Sequence, residues 1–170
     1  MSEPVKVSIV IPTFNEQDNI TLLLGMIEQA STMHDPPFEY EAIVVDDGND
    51  RTAALAAGMG ARVRRGCGQG LGRAILDGIA ESQHPIIVVM DADLSHNPHS
   101  IPRLIRPIVE QGYEMVIGSR YIEHGSCGDW GIMRKFVSRV ACWPARVMFQ
   151  VRDGTSGFFA VRRSLVEAQH

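Results

Sequence analysis

Apolar positions along the 170-residue chain fall into two kinds of cluster that take turns. Short unbroken runs lie at Val5 to Ile11, Tyr40 to Val45 and Pro85 to Met90, with a weaker run at Ala61 to Arg65 and a short one at Met115 to Gly118. Several are rich in β-branched residues, which suits buried strands better than short helices. Between them the spacing changes. Ile20, Leu23, Leu24 and Ile27 recur at helical intervals behind Asn15, which predicts a helix capped by that asparagine. Asp50 is placed to cap the Ala-rich segment Thr52 to Ala57. Leu71 to Ala80 follows a glycine-rich turn, and Ile101 to Gln111 carries Pro102 in its first turn, where proline costs no backbone hydrogen bond. Five strands separated by helices predict an α/β domain with a mostly parallel sheet and helices on both faces, because parallel neighbours need crossover connections. No linker or repeat divides residues 1–170, which read as one domain.

Composition narrows the partners. A net charge of -4 excludes the strongly basic surface of a nonspecific nucleic-acid binder, so no nucleic-acid partner is expected. The three cysteines, Cys67, Cys127 and Cys142, are odd in number and lack CxxC spacing, which argues against a disulfide framework or a zinc site and fits a reducing compartment. The early residues lack the basic start and apolar run of a leader peptide. No apolar stretch reaches the roughly 20 residues of a membrane-spanning helix.

In a sheet of this kind ligands bind outside the carboxyl ends of the strands, and the polar chemistry gathers there: Pro12 to Glu16, Asp46 and Asp47, Asp91 and Asp93, and Ser119 to Tyr121. Asp91 and Asp93 stand two apart at a strand end, so in extended geometry both carboxylates lean to one side. Mg²⁺ or Mn²⁺ commonly takes one or two carboxylates and completes its shell with water and phosphate oxygens. Taken alone, the pair reads equally as a turn cap. One of Asp46 and Asp47 is placed to accept hydrogen bonds from a nucleobase or ribose, although Asp-Gly also makes an ordinary turn. Glu16 would favour the positive end of a helix with or without a ligand. Gly66, Gly68, Gly70 and Gly72 do not have the G-x-G-x-x-G spacing of a dinucleotide loop, and a flexible helix start is favoured over a phosphate cradle. His96 and His99, in Ser95-His96-Asn97-Pro98-His99, read as part of a solvated loop rather than as zinc ligands.

Together these segments resemble the inverting family 2 glycosyltransferases, and within them the polyprenol (dolichol) phosphate mannose synthases. The matching pieces are VSIVIPTFNE at 7–16, VVDDGNDRT at 44–52, GLGRAILDGI at 70–79, VVMDADLSHNP at 88–98, IGSRY at 117–121, Trp130 with Arg134 and Lys135, and SGFFAVRR at 156–163. The resemblance implies the GT-A fold, a Rossmann-like α/β architecture, and a GDP-mannose donor. Pro12, Phe14, Glu16, Val45 and Asp47 match positions that hold the nucleoside; Asp91, Ala92 and Asp93 match the metal and diphosphate motif. Arg120 and Arg134 look like the basic residues that hold donor or lipid phosphates. Phe14 stands where tyrosine is usual, and Gly48-Asn49-Asp50 is shorter than the usual loop. The family also continues beyond this chain, with a helix and a basic loop that closes over the donor.

The resemblance further implies mannose transfer to a polyprenol monophosphate with inversion, Asp91, Asp93 and Arg120 serving the reacting diphosphate. Two alternatives stay open: a relative using UDP-glucose, and a nucleotide-sugar-binding fragment without turnover. Ile132, Phe136, Val140, Trp143 and Val147 recur at helical spacing alongside Arg134, Lys135, Arg139 and Arg146, a pattern equally consistent with a core-facing helix and with one lying on a membrane surface. The expected location is cytoplasmic, peripheral at the cytoplasmic face of a membrane.

Overall fold

The structure, a computed structural model, describes residues 4–33, 37–118 and 157–167. In chain order the elements are β1 (Val5–Thr13), α1 (Ile20–Met33), β2 (Phe38–Asp46), α2 (Thr52–Gly58), β3 (Arg62–Arg65), α3 (Leu71–Glu81), β4 (Ile86–Val89), a 3-10 turn (Pro98–Ser100), α4 (Ile101–Gln111), β5 (Met115–Ile117), β6 (Phe159–Arg162) and α5, which is Arg163–Glu167. The strands form one sheet in the order β3-β2-β1-β4-β6-β5.

Pairing is parallel from β3 through β2 and β1 to β4. The sixth strand was not foreseen: β6 inserts antiparallel between β4 and β5, with Ile87 opposite Val161 and Val116 opposite Ala160. Its four residues carry too little periodicity to be told from a helix start. The first strand, β1, runs beyond the apolar stretch Val5 to Ile11, through Pro12 to Thr13. Pro12 pairs alongside Val45, beyond the stretch in which β1 meets β4, so its missing N–H breaks no ladder with β4.

Both faces of the sheet are covered. Ile9, Ile11 and Val44 pack with Leu23 and Ile27 of α1 and with Leu104 and Ile108 of α4. On the other face, Val10 and Val89 meet Ile75 and Ile79 of α3 and Leu165 of α5, while Val45 meets Ala74. Continuous burial of β4 on both sides explains why its sequence is an unbroken apolar run. Helix α3 lies close to the sheet because residue 78 is glycine: a Cβ there would overlap Val10 and come within 3.2 Å of Val45 Cγ2. That close approach brings the first turn of α3 beside the carboxyl ends of β1 and β2.

Candidate functional site

Three strand ends meet around one open cleft of about 500 Å³, lined by Pro12, Thr13, Phe14 and Glu16 after β1, Asp47 after β2, Gly70, Leu71 and Ala74 from the start of α3, and Asp91, Ala92 and Asp93 after β4. Seven of the residues singled out from the sequence therefore share one cavity: Pro12, Phe14, Glu16, Asp47, Asp91, Ala92 and Asp93. Val45 does not join them, since its side chain is wholly buried against Ala74 under α3. Arg120 and Arg134 lie outside the described residues, as do Ser119 to Tyr121 and the segment Ile132 to Phe149.

The two neighbouring aspartates after β2 divide their tasks. Asp46 is buried, and its Oδ1 accepts from the Thr13 hydroxyl at 2.9 Å and from the Gly48 N–H at 3.2 Å. The Arg65 guanidinium stands 3.5 Å from its other oxygen. It thus clasps the ends of β1, β2 and β3. Asp47 turns into the cleft instead, its Oδ1 accepting from the Gly68 N–H at 2.7 Å. Gly66 lies so close beneath this carboxylate that a Cβ there would overlap it. The glycine-rich loop therefore carries Asp47, and Gly70, at φ 88°, opens α3 on the cleft wall. A Gly-rich spacing alone could not reveal that role.

Turn geometry corrects the assignment of Asn15. The carbonyl that accepts the first bond of α1 belongs to Glu16, which takes the Ile20 N–H at 2.9 Å. Asn15 adopts φ 57°, a left-handed conformation that asparagine tolerates, and its Oδ1 accepts from the Asn49 N–H at 2.9 Å. It ties the loop after β1 to the loop after β2. Asp50 stands one residue before the cap of α2, which is Arg51, whose carbonyl takes the Leu55 N–H at 3.0 Å; from there its Oδ1 accepts from the Thr52 N–H at 2.9 Å and from the Thr52 hydroxyl at 2.6 Å. That hydroxyl holds the Asp50 carboxyl below the usual range, helped by the Thr52 and Gln17 amides.

On the far side of the cleft Asp93 makes a tight turn, its Oδ1 accepting from the Ser95 N–H at 3.0 Å across Leu94, which has φ 59°. A positive φ at leucine is strained and needs surrounding structure to hold it. Part of that structure is His96, which is buried with its ring stacked on Phe158 at 4.9 Å between centroids. The expectation of a solvated loop holds for His99, which is exposed, and fails for His96, whose partner lies 62 residues further along the chain.

Electrostatically the cleft is acidic. Its lining holds Glu16, Asp47, Asp91 and Asp93 and, among the described residues, no lysine or arginine. Four carboxylates suit the hydroxyls and N–H groups of a sugar or base but repel a diphosphate unless a cation intervenes. The available acceptors are all oxygens, the set a hard divalent cation prefers, and Asp91 with Asp93 could supply the one or two protein carboxylates that such a cation takes. Phe14, 67% exposed at the rim, offers an open aromatic face.

Fold and site together define the class: this is a GT-A glycosyltransferase architecture, which superposes with a TM-score of 0.73 on mannosyl-3-phosphoglycerate synthase from Rubrobacter xylanophilus, 22% identical over 95% of this chain and 54% of that one. The chain belongs to glycosyl transferase family 2, whose pattern matches residues 8–168. It is 38% identical to a dolichol-phosphate mannosyltransferase from Pyrococcus furiosus, over 96% of this chain and 48% of that protein. It is 33% identical to a polyprenol monophosphomannose synthase from Mycolicibacterium smegmatis, over 94% of this chain and 62% of that protein. The chain thus spans about half to three fifths of the length of these curated relatives. A glucosyl-3-phosphoglycerate synthase from Mycobacterium tuberculosis, solved with Mn²⁺, UDP-glucose and phosphoglyceric acid, superposes with a TM-score of 0.71 at 25% identity, over 95% of this chain and 57% of that one.

Proposed function

We propose that the cleft binds the nucleotide diphosphate of GDP-mannose with a divalent cation, Mg²⁺ or Mn²⁺, and that the protein transfers mannose to a polyprenol monophosphate with inversion. The observation that carries this reading is the convergence of Asp47, Asp91 and Asp93 on one acid-lined cavity at the carboxyl edge of the sheet. The relatives in Pyrococcus furiosus and Mycolicibacterium smegmatis support the mannosyl donor and the lipid phosphate acceptor. The Mn²⁺ in the Mycobacterium tuberculosis structure supports the metal.

In this reading Phe14 stacks on or beside the base, and Glu16 and Asp47 accept hydrogen bonds from the nucleoside. Val45 contributes as the buried floor from which Asp46 and Asp47 emerge. Asp91 and Asp93 would hold the cation, whose charge would offset the charge that builds up on the departing diphosphate. Arg120 adds to that neutralisation, and Arg134 meets a phosphate of donor or acceptor. The acceptor's phosphate oxygen forms the new bond to the anomeric carbon from the face opposite the diphosphate, and the electron pair of the breaking bond leaves with the diphosphate. A phosphate monoester is already anionic at neutral pH, so the attack needs no protein base to remove a proton. That fits a cleft rich in carboxylates and, among the described residues, without a histidine on its lining.

The acceptor lipid would bring the protein to a membrane surface. Among the described residues no helix is long and apolar enough to cross a bilayer, and the apolar and basic repeat from Ile132 to Phe149 supplies the pattern for peripheral attachment at the cytoplasmic face. Liposome flotation with anionic lipids checks this: attachment predicts that the chain floats, and failure to float contradicts it. A second reading, transfer of glucose from UDP-glucose, draws on the UDP-glucose complex of the Mycobacterium tuberculosis structure. Incubation with membrane extract and labelled GDP-mannose, with and without EDTA, tests the proposal. Label in the lipid phase that disappears with EDTA is expected; label only from UDP-glucose, or none at all, would overturn mannose transfer by this chain.

A further inference from the structure

The antiparallel ladder between β4 and β6 runs from Ile86 opposite Arg162 to Val89 opposite Phe159. Continued two residues past its end, this register sets Gly157 opposite Asp91, and facing positions of paired strands direct their side chains to the same face of the sheet. The contacts agree. A Cβ on Gly157 would stand 2.6 Å from both Oδ1 and Cγ of Asp91 and overlap its Oδ2 as well. The Asp91 carboxylate therefore occupies the space that any side chain at 157 would fill.

The next residue fastens the same loop at its other end. Phe158 is buried, its ring stacked on His96 at an interplanar angle of 29°. Its carbonyl accepts from the Gly118 N–H at 2.8 Å, and its ring leaves no room for a Cβ on Gly118. One dipeptide thus seats both ends of the segment from Asp91 to His96, with Asp91 against Gly157 and His96 against Phe158.

We infer that Gly157 is a positioning residue for the Asp91 carboxylate, with Phe158 as the brace that keeps it in place. The inference rests on the reading of Asp91 as a donor-site carboxylate and adds the residue that aims it. What a methyl group at 157 would push aside is the far end of a flexible side chain, not backbone. Substitution should therefore move the carboxylate while leaving the sheet intact.

The test is a four-way comparison of the parent chain, Gly157→Ala, Asp91→Ala and the double variant. Each is titrated calorimetrically with GDP and, in parallel, with UDP, with and without Mn²⁺, and its thermal unfolding is followed. Gly157→Ala is expected to weaken Mn²⁺-dependent nucleotide binding roughly 10–100-fold, the size of loss typical of groups that orient a metal ligand. In the Asp91→Ala background the same substitution should cost nothing further, because the group it displaces is gone. If Asp91→Ala weakens binding and Gly157→Ala does not, or if Gly157→Ala costs as much in the double variant as alone, the positioning role is wrong. If Asp91→Ala itself changes nothing, the metal reading of the cleft fails and takes this inference with it. Should Gly157→Ala fail to fold, recovery of a cooperative melt in the double variant supports the contact, and an unfolded double variant overturns it.

Discussion

Towards the amino-terminal ends of the strands, Glu41 accepts from the Ser8 hydroxyl at 2.6 Å and the Gln83 N–H at 2.7 Å and pairs with Arg62. Arg62 and Arg64 carry the network on to Glu81 and the buried Asp77. At the carboxyl ends, Asp47 and Asp93 each accept one backbone N–H, and among the described residues neither has a cationic partner. The same residue type is thus matched by protein at one end and left facing a cavity at the other. Acids at the first end hold the strands and helices together. At the second, Asp47 and Asp93 line a cleft open to solvent, where a cation and a polyhydroxyl ligand could complete them.

The largest effect that could break this contrast is on catalysis. On the proposed function, Asp93→Ala is expected to lower mannosyl transfer about 100-fold or more, as loss of one preorganised electrostatic group does, while the melting temperature stays within a few degrees because the residue is exposed. Turnover with labelled GDP-mannose and a thermal melt check both halves.

At the other end the order reverses. Glu41→Ala leaves the Ser8 hydroxyl, the Gln83 amide and the Arg62 guanidinium short of an acceptor and should cost about 1–3 kcal/mol in denaturant unfolding, with donor affinity unchanged. A loss of affinity without a loss of stability would erase the distinction between the ends.

Acid titration sharpens it. Burial alone would raise the Glu41 carboxyl, but the Ser8 and Gln83 hydrogen bonds and the nearby Arg62 and His84 charges outweigh burial and hold it below its ordinary value. A carboxyl depressed in the folded state stabilises the fold above its unfolded pKa, about 4.3, and loses that contribution as pH falls through the lower folded value. Glu41→Gln should therefore flatten the decline of melting temperature below about pH 4.3, and a decline as steep as the parent's would contradict the network. The smallest effect belongs to an exposed pair away from both ends: Glu110→Gln, which removes the partner of Arg106 on α4, should change stability by no more than about 0.5 kcal/mol.

Much of this arrangement was legible in the sequence because burial on both faces writes itself as apolar runs. Strands β1, β2 and β4 and helix α4 all lie where their patterns put them. The alternation of strand and helix also places the acids at strand ends. What could not be read was pairing across the chain. The four residues of β6 belong to the motif SGFFAVRR, and nothing local says that they run antiparallel between two parallel strands. The seats of Asp91 on Gly157 and of His96 on Phe158 depend on that insertion, so both were invisible, and His96 passed for a loop residue among polar neighbours. Asn15 misled for a different reason: asparagine favours helix caps and left-handed turns alike, and only the bond from Asn49 separates the two. Likewise Val45 is close to the cleft in sequence, yet strand alternation turns it beneath α3 while the backbone goes on to Asp47.

The claim that the carboxyl-edge acids form a metal-dependent nucleotide site is tested most directly by titrating GDP into the parent chain and into Asp91→Asn with Asp93→Asn, each with Mn²⁺ and with EDTA. Binding that requires Mn²⁺ in the parent and vanishes in the double variant is the expected result. GDP binding of equal strength in all four titrations, or none in the parent with Mn²⁺, would contradict it.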